Sequence, residues 1–168
     1  ATGVQGLKIA RGNGDNYWLG YRTLFESNQW LTNGIYLIWQ PSGYEQSWLL
    51  DTTPNSFSDH NDDKQDGGIV LGQTYSDRDA GVHITPLRKG SNWIDVKVKL
   101  GTVTGNQAPV VTLRGSSNVK ARELATFEAI ASDPDGDDLA YLWDFGDTFV
   151  HSSTAEVNHT WLSGGEYE

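Results

Sequence analysis

Residues 132–147 read Ser132-Asp133-Pro134-Asp135-Gly136-Asp137-Asp138-Leu139-Ala140-Tyr141-Leu142-Trp143-Asp144-Phe145-Gly146-Asp147. The first half is an acidic turn. Asp133, Asp135, Asp137 and Asp138 crowd into a few residues, and Gly136 permits a sharp reversal of the chain. The second half alternates, with Tyr141, Trp143 and Phe145 on one face and Leu142 and Asp144 on the other. The same period lies on either side. Upstream, Ala125, Phe127, Ala129 and Ala131 alternate with Thr126, Glu128 and Ser132; downstream, Ala155, Val157, His159 and Trp161 alternate with Glu156, Asn158 and Thr160. Val110 to Leu113 follows Pro109 as an edge-compatible strand. Short strands at this spacing, with turns between them, predict a β-sandwich.

The residues before this region are also strand-like. Tyr17–Arg22 is aromatic-rich, and Gly34–Trp39 is a nearly continuous apolar run, as expected of a strand covered on both faces. Ser47–Asp51, Gly68–Leu71 and Gly81–Leu87 follow. Trp93–Leu100 alternates cleanly, with Ile94, Val96, Val98 and Leu100 facing inward. Turn signals separate these runs at Gly12–Asp15, Thr32–Gly34, Pro41–Gly43 and Lys89–Asn92. No stretch carries a sustained helical period. The polar loop from Thr52 to Gly68 has no periodicity and reads as mobile or ligand-bearing. Thr104–Pro109 breaks the pattern and divides the chain into two all-β modules, 1–104 and 105–168, each expected to be a β-sandwich.

Composition narrows the function classes. The net charge is −10, so phosphate backbones and anionic lipid are repelled, and neither nucleic acid nor a membrane surface is an expected partner. No apolar run is long enough to span a bilayer. There is no Cys, which excludes disulfides and thiolate chemistry. A small sandwich without disulfides needs another staple, and Ca²⁺ suits an acidic chain. Aromatics make up 11% of the residues, with 7 Trp and 7 Tyr, enough to fill two small cores and leave rings for ligands.

Asn106-Gln107-Ala108-Pro109, the acidic turn, Tyr141–Asp147, Asn158-His159-Thr160-Trp161 and Gly164-Gly165-Glu166-Tyr167 occur in this order. Together they resemble the PKD domain family across Asn106–Glu168. The resemblance implies a seven-stranded immunoglobulin-like sandwich. In it Trp143 is the buried inter-sheet aromatic, Gly146 supplies positive φ after the strand, and Tyr167 forms a tyrosine corner. The family has Gly in many members where this chain has Thr148. It also continues into a closing strand beyond Tyr167, so the sandwich is expected to lack its last strand. In calcium-binding relatives an interdomain Asn and the Asp cluster share one ion. Matched residue by residue, this points to Asn106, the Gln107 carbonyl, Asp133 and Asp135, then Asp137 and Asp138, as the calcium set. The alternative is that these Asp residues stabilise a turn and face solvent.

In the first module, Tyr17–Arg22, Asn33–Ile38, Leu49–Pro54, Leu71–Asp77 and Ala80–Thr85 occur in order. They resemble the region that follows the catalytic domain of secreted zinc metallopeptidases, gametolysin-like and immune-inhibitor-A-like. The resemblance implies an extracellular location and a zinc-bearing catalytic domain elsewhere in the parent. This chain holds no His-Glu-x-x-His. Its histidines are His60, His83, His151 and His159, none followed by Glu, and no Gly-x-Ser-x-Gly is present. His83 and His159 lie in strand patterns and read as packing residues. Asp59–Asp66 is a second acidic patch, either a solvated loop or another calcium site.

Three functions compete. The first is a non-catalytic, substrate-targeting region of a secreted zinc metallopeptidase. PKD modules of some bacterial proteases bind insoluble collagen through exposed aromatics, and Tyr141 and Trp161 are the candidates here. The second is carbohydrate binding through stacked Trp. The third is a calcium-stiffened spacer.

Overall fold

The computed structural model describes residues 6–23, 28–54, 56, 65–152 and 154–167. The chain separates into two compact units, 1–103 and 104–168. Almost every element is an antiparallel strand.

In the first unit, Asn13-Gly14 sits between two alternating runs, and a tight hairpin results. Strand β1 (Leu7–Gly12) pairs with β2 (Asp15–Gly20), and Gly12, Asn13 and Gly14 all take positive φ in the turn. A four-residue helix, α1 (Gln29–Thr32), precedes β3. Asn28 caps it, its Oδ1 accepting the Leu31 N–H at 2.9 Å. Strand β3 (Gly34–Gln40) has no exposed residue, as its apolar run predicts, and it is the hub of the sheet. It pairs with β2, with β4 (Trp48–Leu49) and with β5 (Ile69–Val70). The second sheet is β6 (Tyr75–Asp77), β7 (Val82–Lys89) and β8 (Ile94–Leu100). Ile9, Tyr17, Leu19, Ile35, Leu37 and Ile69 of the first sheet pack with Val82 and Ile84 of the second, so the core lies between two sheets.

Two features differ from the sequence expectation. Strands β1 and β6 were not anticipated, because each is short and shows its inward face only once paired. Leu100, expected inside with Ile94, Val96 and Val98, is 69% exposed. It pairs with Val82 at the last position of β8, the outer strand of the β6-β7-β8 sheet.

The neck of the Thr52–Gly68 loop is closed. Thr52 N–H reaches the Gly67 carbonyl at 3.2 Å, Thr53 Oγ1 reaches the Asp66 carbonyl at 3.1 Å, and Thr53 N–H reaches Asp51 Oδ1 at 3.0 Å. Most of the predicted acidic patch, Asp59–Lys64, lies outside the described residues.

The second unit holds a three-stranded sheet of β9 (Val110–Arg114), β10 (Ala125–Ser132) and β13 (Glu156–His159), in the order β13-β10-β9. A two-stranded sheet pairs β11 (Tyr141–Asp144) with β12 (Phe149–Ser152). The alternation read from the sequence is present: along β10 Ala125 and Ala129 are buried while Thr126, Glu128 and Ile130 are exposed. Five strands form among the described residues, fewer than the seven that the resemblance implies. Gly164–Tyr167 carries no ladder; it turns a corner held by Tyr167 Oη donating to the Ser163 carbonyl at 3.1 Å.

Candidate functional site

The acidic turn is built by its own side chains. Asp133 Oδ1 accepts the backbone N–H groups of Asp135 (2.8 Å) and Asp137 (3.2 Å), and the Gly136 N–H reaches the Asp133 carbonyl at 3.1 Å. Gly136 sits at φ 73°, where a Cβ is disfavoured. Asp135 Oδ2 then accepts the Gln107 N–H at 2.6 Å. Asp135 thus links Gln107, through its carboxylate, to Asp133, through its N–H. Asn106 lies beside them, its Nδ2 donating to the Gln107 carbonyl at 3.1 Å. Asp137 is half-buried and Asp138 exposed. These are hard oxygen donors of the kind Ca²⁺ takes. In this conformation the Asp133 and Asp135 carboxylates are engaged with backbone N–H groups, and no three His, Asp or Glu side chains among the described residues are gathered to hold a metal.

The aromatic centre of the second unit is Phe145, 5% exposed, rather than Trp143, which is half-buried. Phe145 stacks on His159 with centroids 4.2 Å apart and meets Phe127 at 5.8 Å and Trp161 edge-on at 5.8 Å. The turn after it forms as expected: Gly146 has φ 76°, its N–H reaches Asp144 Oδ1 at 2.9 Å, and the Phe145 N–H reaches the Thr148 carbonyl at 3.0 Å. His159 Nε2 stands 2.9 Å from Asp147 Oδ1, close enough to pair when protonated but not aligned as a hydrogen bond. Of the two predicted ligand aromatics, Tyr141 is half-buried on β11. Trp161 is half-buried, its Nε1 donating to the Phe145 carbonyl at 3.0 Å and its ring against Tyr167 at 5.6 Å. It lines, with Phe127, Trp143 and Tyr167, an open cleft of about 620 Å³ with Asp144 and Glu166 at its margin.

The first unit carries a buried polar network that the sequence reading missed. Arg11 Nε meets Asp77 Oδ2 at 2.5 Å, and Tyr17 Oη donates to the same oxygen at 2.8 Å. Arg11 Nη1 also meets Asp15 Oδ2 at 3.3 Å. Asp15 Oδ2 accepts Trp39 Nε1 at 3.2 Å, and its Oδ1 accepts the Ser42 N–H at 2.8 Å. The Ser42 bond, with Trp39 and Arg11 helping, holds the Asp15 carboxyl below the usual range. Burial works to raise Asp77, but the Ala80 N–H, Tyr17 and Arg11 overcome it and its carboxyl is also lowered. Burial, with the Tyr75 and Asp77 contacts, pushes the Tyr17 phenol up, so it remains a donor. A buried Asp has no local signature; only the Asn13-Gly14 hairpin signal pointed here. His83 is a packing residue, as read, with its ring nitrogens 3.0 Å from Ser76 Oγ and 3.1 Å from the Gly101 carbonyl.

Outside this network the first unit shows rings to solvent. Tyr44 is 64% and Trp48 42% exposed, and the Trp48 ring lies 5.6 Å from Trp39 and 6.1 Å from Tyr44.

The architecture of the second unit defines a class: an all-β, immunoglobulin-like module. The family model described as the PKD domain matches residues 106–168, and those residues are a PKD domain. No curated protein and no solved structure matches the chain. PKD domains are extracellular-type modules, and no helix among the described residues is long and apolar enough to cross a membrane.

Proposed function

We propose that this chain is a non-catalytic accessory region of a secreted zinc metallopeptidase that holds the enzyme on an insoluble protein substrate such as collagen. The PKD domain at 106–168 and the ordered first-module motifs from Tyr17 to Thr85 support the parentage. The observation that carries the binding role is the open aromatic cleft lined by Trp143, Trp161 and Tyr167. Aromatic faces bury much area at small entropic cost, and the acidic margin favours basic partners. Sedimentation with insoluble collagen tests this. The chain is expected in the pellet; recovery in the supernatant sinks the collagen role.

A second reading, polysaccharide binding, is favoured by the exposed Tyr44–Trp48 pair of the first unit. Retention on insoluble glycan but not on collagen selects it.

Calcium belongs to either reading. Asp135 reaches Gln107, with Asn106 adjacent, Asp133 bonded to the Asp135 and Asp137 N–H groups, and Asp138 next in the oxygen-rich turn. Coordination exchanges the Gln107–Asp135 bond for the ion and stiffens the entry to the sandwich. Titration calorimetry at millimolar Ca²⁺ is expected to show binding, with a melting temperature that falls on chelation. No heat and an unchanged melting temperature would reduce the turn to a solvated cap.

A further inference from the structure

We propose that Tyr44 and Trp48, backed by Trp39, form a preorganised platform for a neutral polysaccharide of extended pyranose rings. The inference deepens the polysaccharide reading above by giving it a site.

The rings are held from beneath. Trp39 and Trp48 are cross-strand partners in the β3–β4 ladder, so their side chains share one face. Trp39 is fixed by its Nε1 bond to Asp15. Tyr44 ends a turn whose Ser42 N–H is bonded to the same carboxylate. That turn closes through the Tyr44 N–H to the Pro41 carbonyl at 3.4 Å and needs Gly43 at φ 79°. Gly14 packs under it, where a Cβ would lie 2.5 Å from Ser42 Oγ. One buried carboxylate, neutralised by Arg11, thus orients both halves of an exposed aromatic surface. Rings fixed in advance lose little entropy on binding.

The chemistry of the ligand follows from what surrounds the rings. Between Trp39 and Leu49 the only charged side chain is Glu45; the others are Gln40, Pro41, Ser42, Gly43, Gln46 and Ser47. A neutral, hydroxyl- and amide-bearing margin complements a neutral polyhydroxylated chain, and a chain of net charge −10 disfavours anionic polymers. Trp39 backs the pair, and the exposed Tyr44 and Trp48 rings, 6.1 Å apart and inclined at 62°, each offer a face to the C–H side of a sugar. Two exposed rings offer far less than the roughly 1,000 Å² a stable protein interface needs, so a polymer that repeats its contacts is the better occupant.

The test is retention of the whole chain on insoluble cellulose and on chitin, with collagen as the contrasting matrix. The wild type is expected to bind at least one glycan. Trp48→Ala and Tyr44→Ala are expected to weaken that binding about tenfold each, at unchanged melting temperature, with Trp48→Phe largely restoring it. Glycan binding that survives both alanine variants overturns the site while leaving the polysaccharide reading standing. No retention on either glycan overturns both.

Discussion

At the scale of single residues, the Arg11–Asp15–Asp77 network is the most consequential feature. Each acceptor is met by a charged or polar donor, so removing one leaves others unpaired in a buried setting. Asp77→Asn is expected to lower stability by roughly 2 kcal/mol, the worth of hydrogen bonds to a charged group. A pH signature goes with it. The Asp15 and Asp77 carboxyls are lowered in the folded state. The unfolded chain therefore takes up protons first, and the stabilisation, complete above the ordinary Asp value, is lost as pH falls below about 4. Melting temperature followed from pH 6 to pH 2 should drop steeply for the wild type and more shallowly for Asp77→Asn. Parallel acid limbs would show that the network does not titrate as described.

At the scale of elements, register and close approach decide more than propensity. Gly34 opens β3 opposite Val70, and a Cβ there would run into the Ile69 carbonyl. Backbone, unlike a flexible side chain, cannot step aside. Gly34→Ala should therefore cost about 2 kcal/mol, a fall of roughly 10 °C for a unit of this size, measurable by calorimetry. Gly20 faces the Tyr36 ring across the β2–β3 ladder, a side chain rather than backbone. The sequence showed these glycines only as turn or strand punctuation; their partners come from other strands. Lys89 is another cross-element tie, its Nζ reaching the Thr32 carbonyl at 3.0 Å and Asn33 Oδ1, with burial lowering its pKa.

At the scale of the molecule, each unit depends on its own small core. That of the second unit centres on Phe145, wedged among Phe127, His159 and Trp161. Phe145→Ala should remove about 3–5 kcal/mol, comparable with the whole stability of a domain this small. The expected result is collapse of amide dispersion for residues 106–167 in a nitrogen-edited proton spectrum. A spectrum that stays dispersed would place the core elsewhere.

The alternating runs of β10, β11 and β13, the acidic turn and the glycines at 136 and 146 were legible in the chain because period and turn chemistry are local properties, carried by neighbours in sequence. Which rings face solvent was not: Trp161 and Trp48 look alike as isolated letters, and only packing leaves one half-buried against Phe145 and Tyr167 and the other exposed. The Asp15 carboxylate likewise acquires its meaning from Ser42, Trp39 and Arg11, which pairing of β1, β2 and β3 brings within reach. Contacts between residues distant along the chain depend on how sheets stack, and no local pattern encodes that.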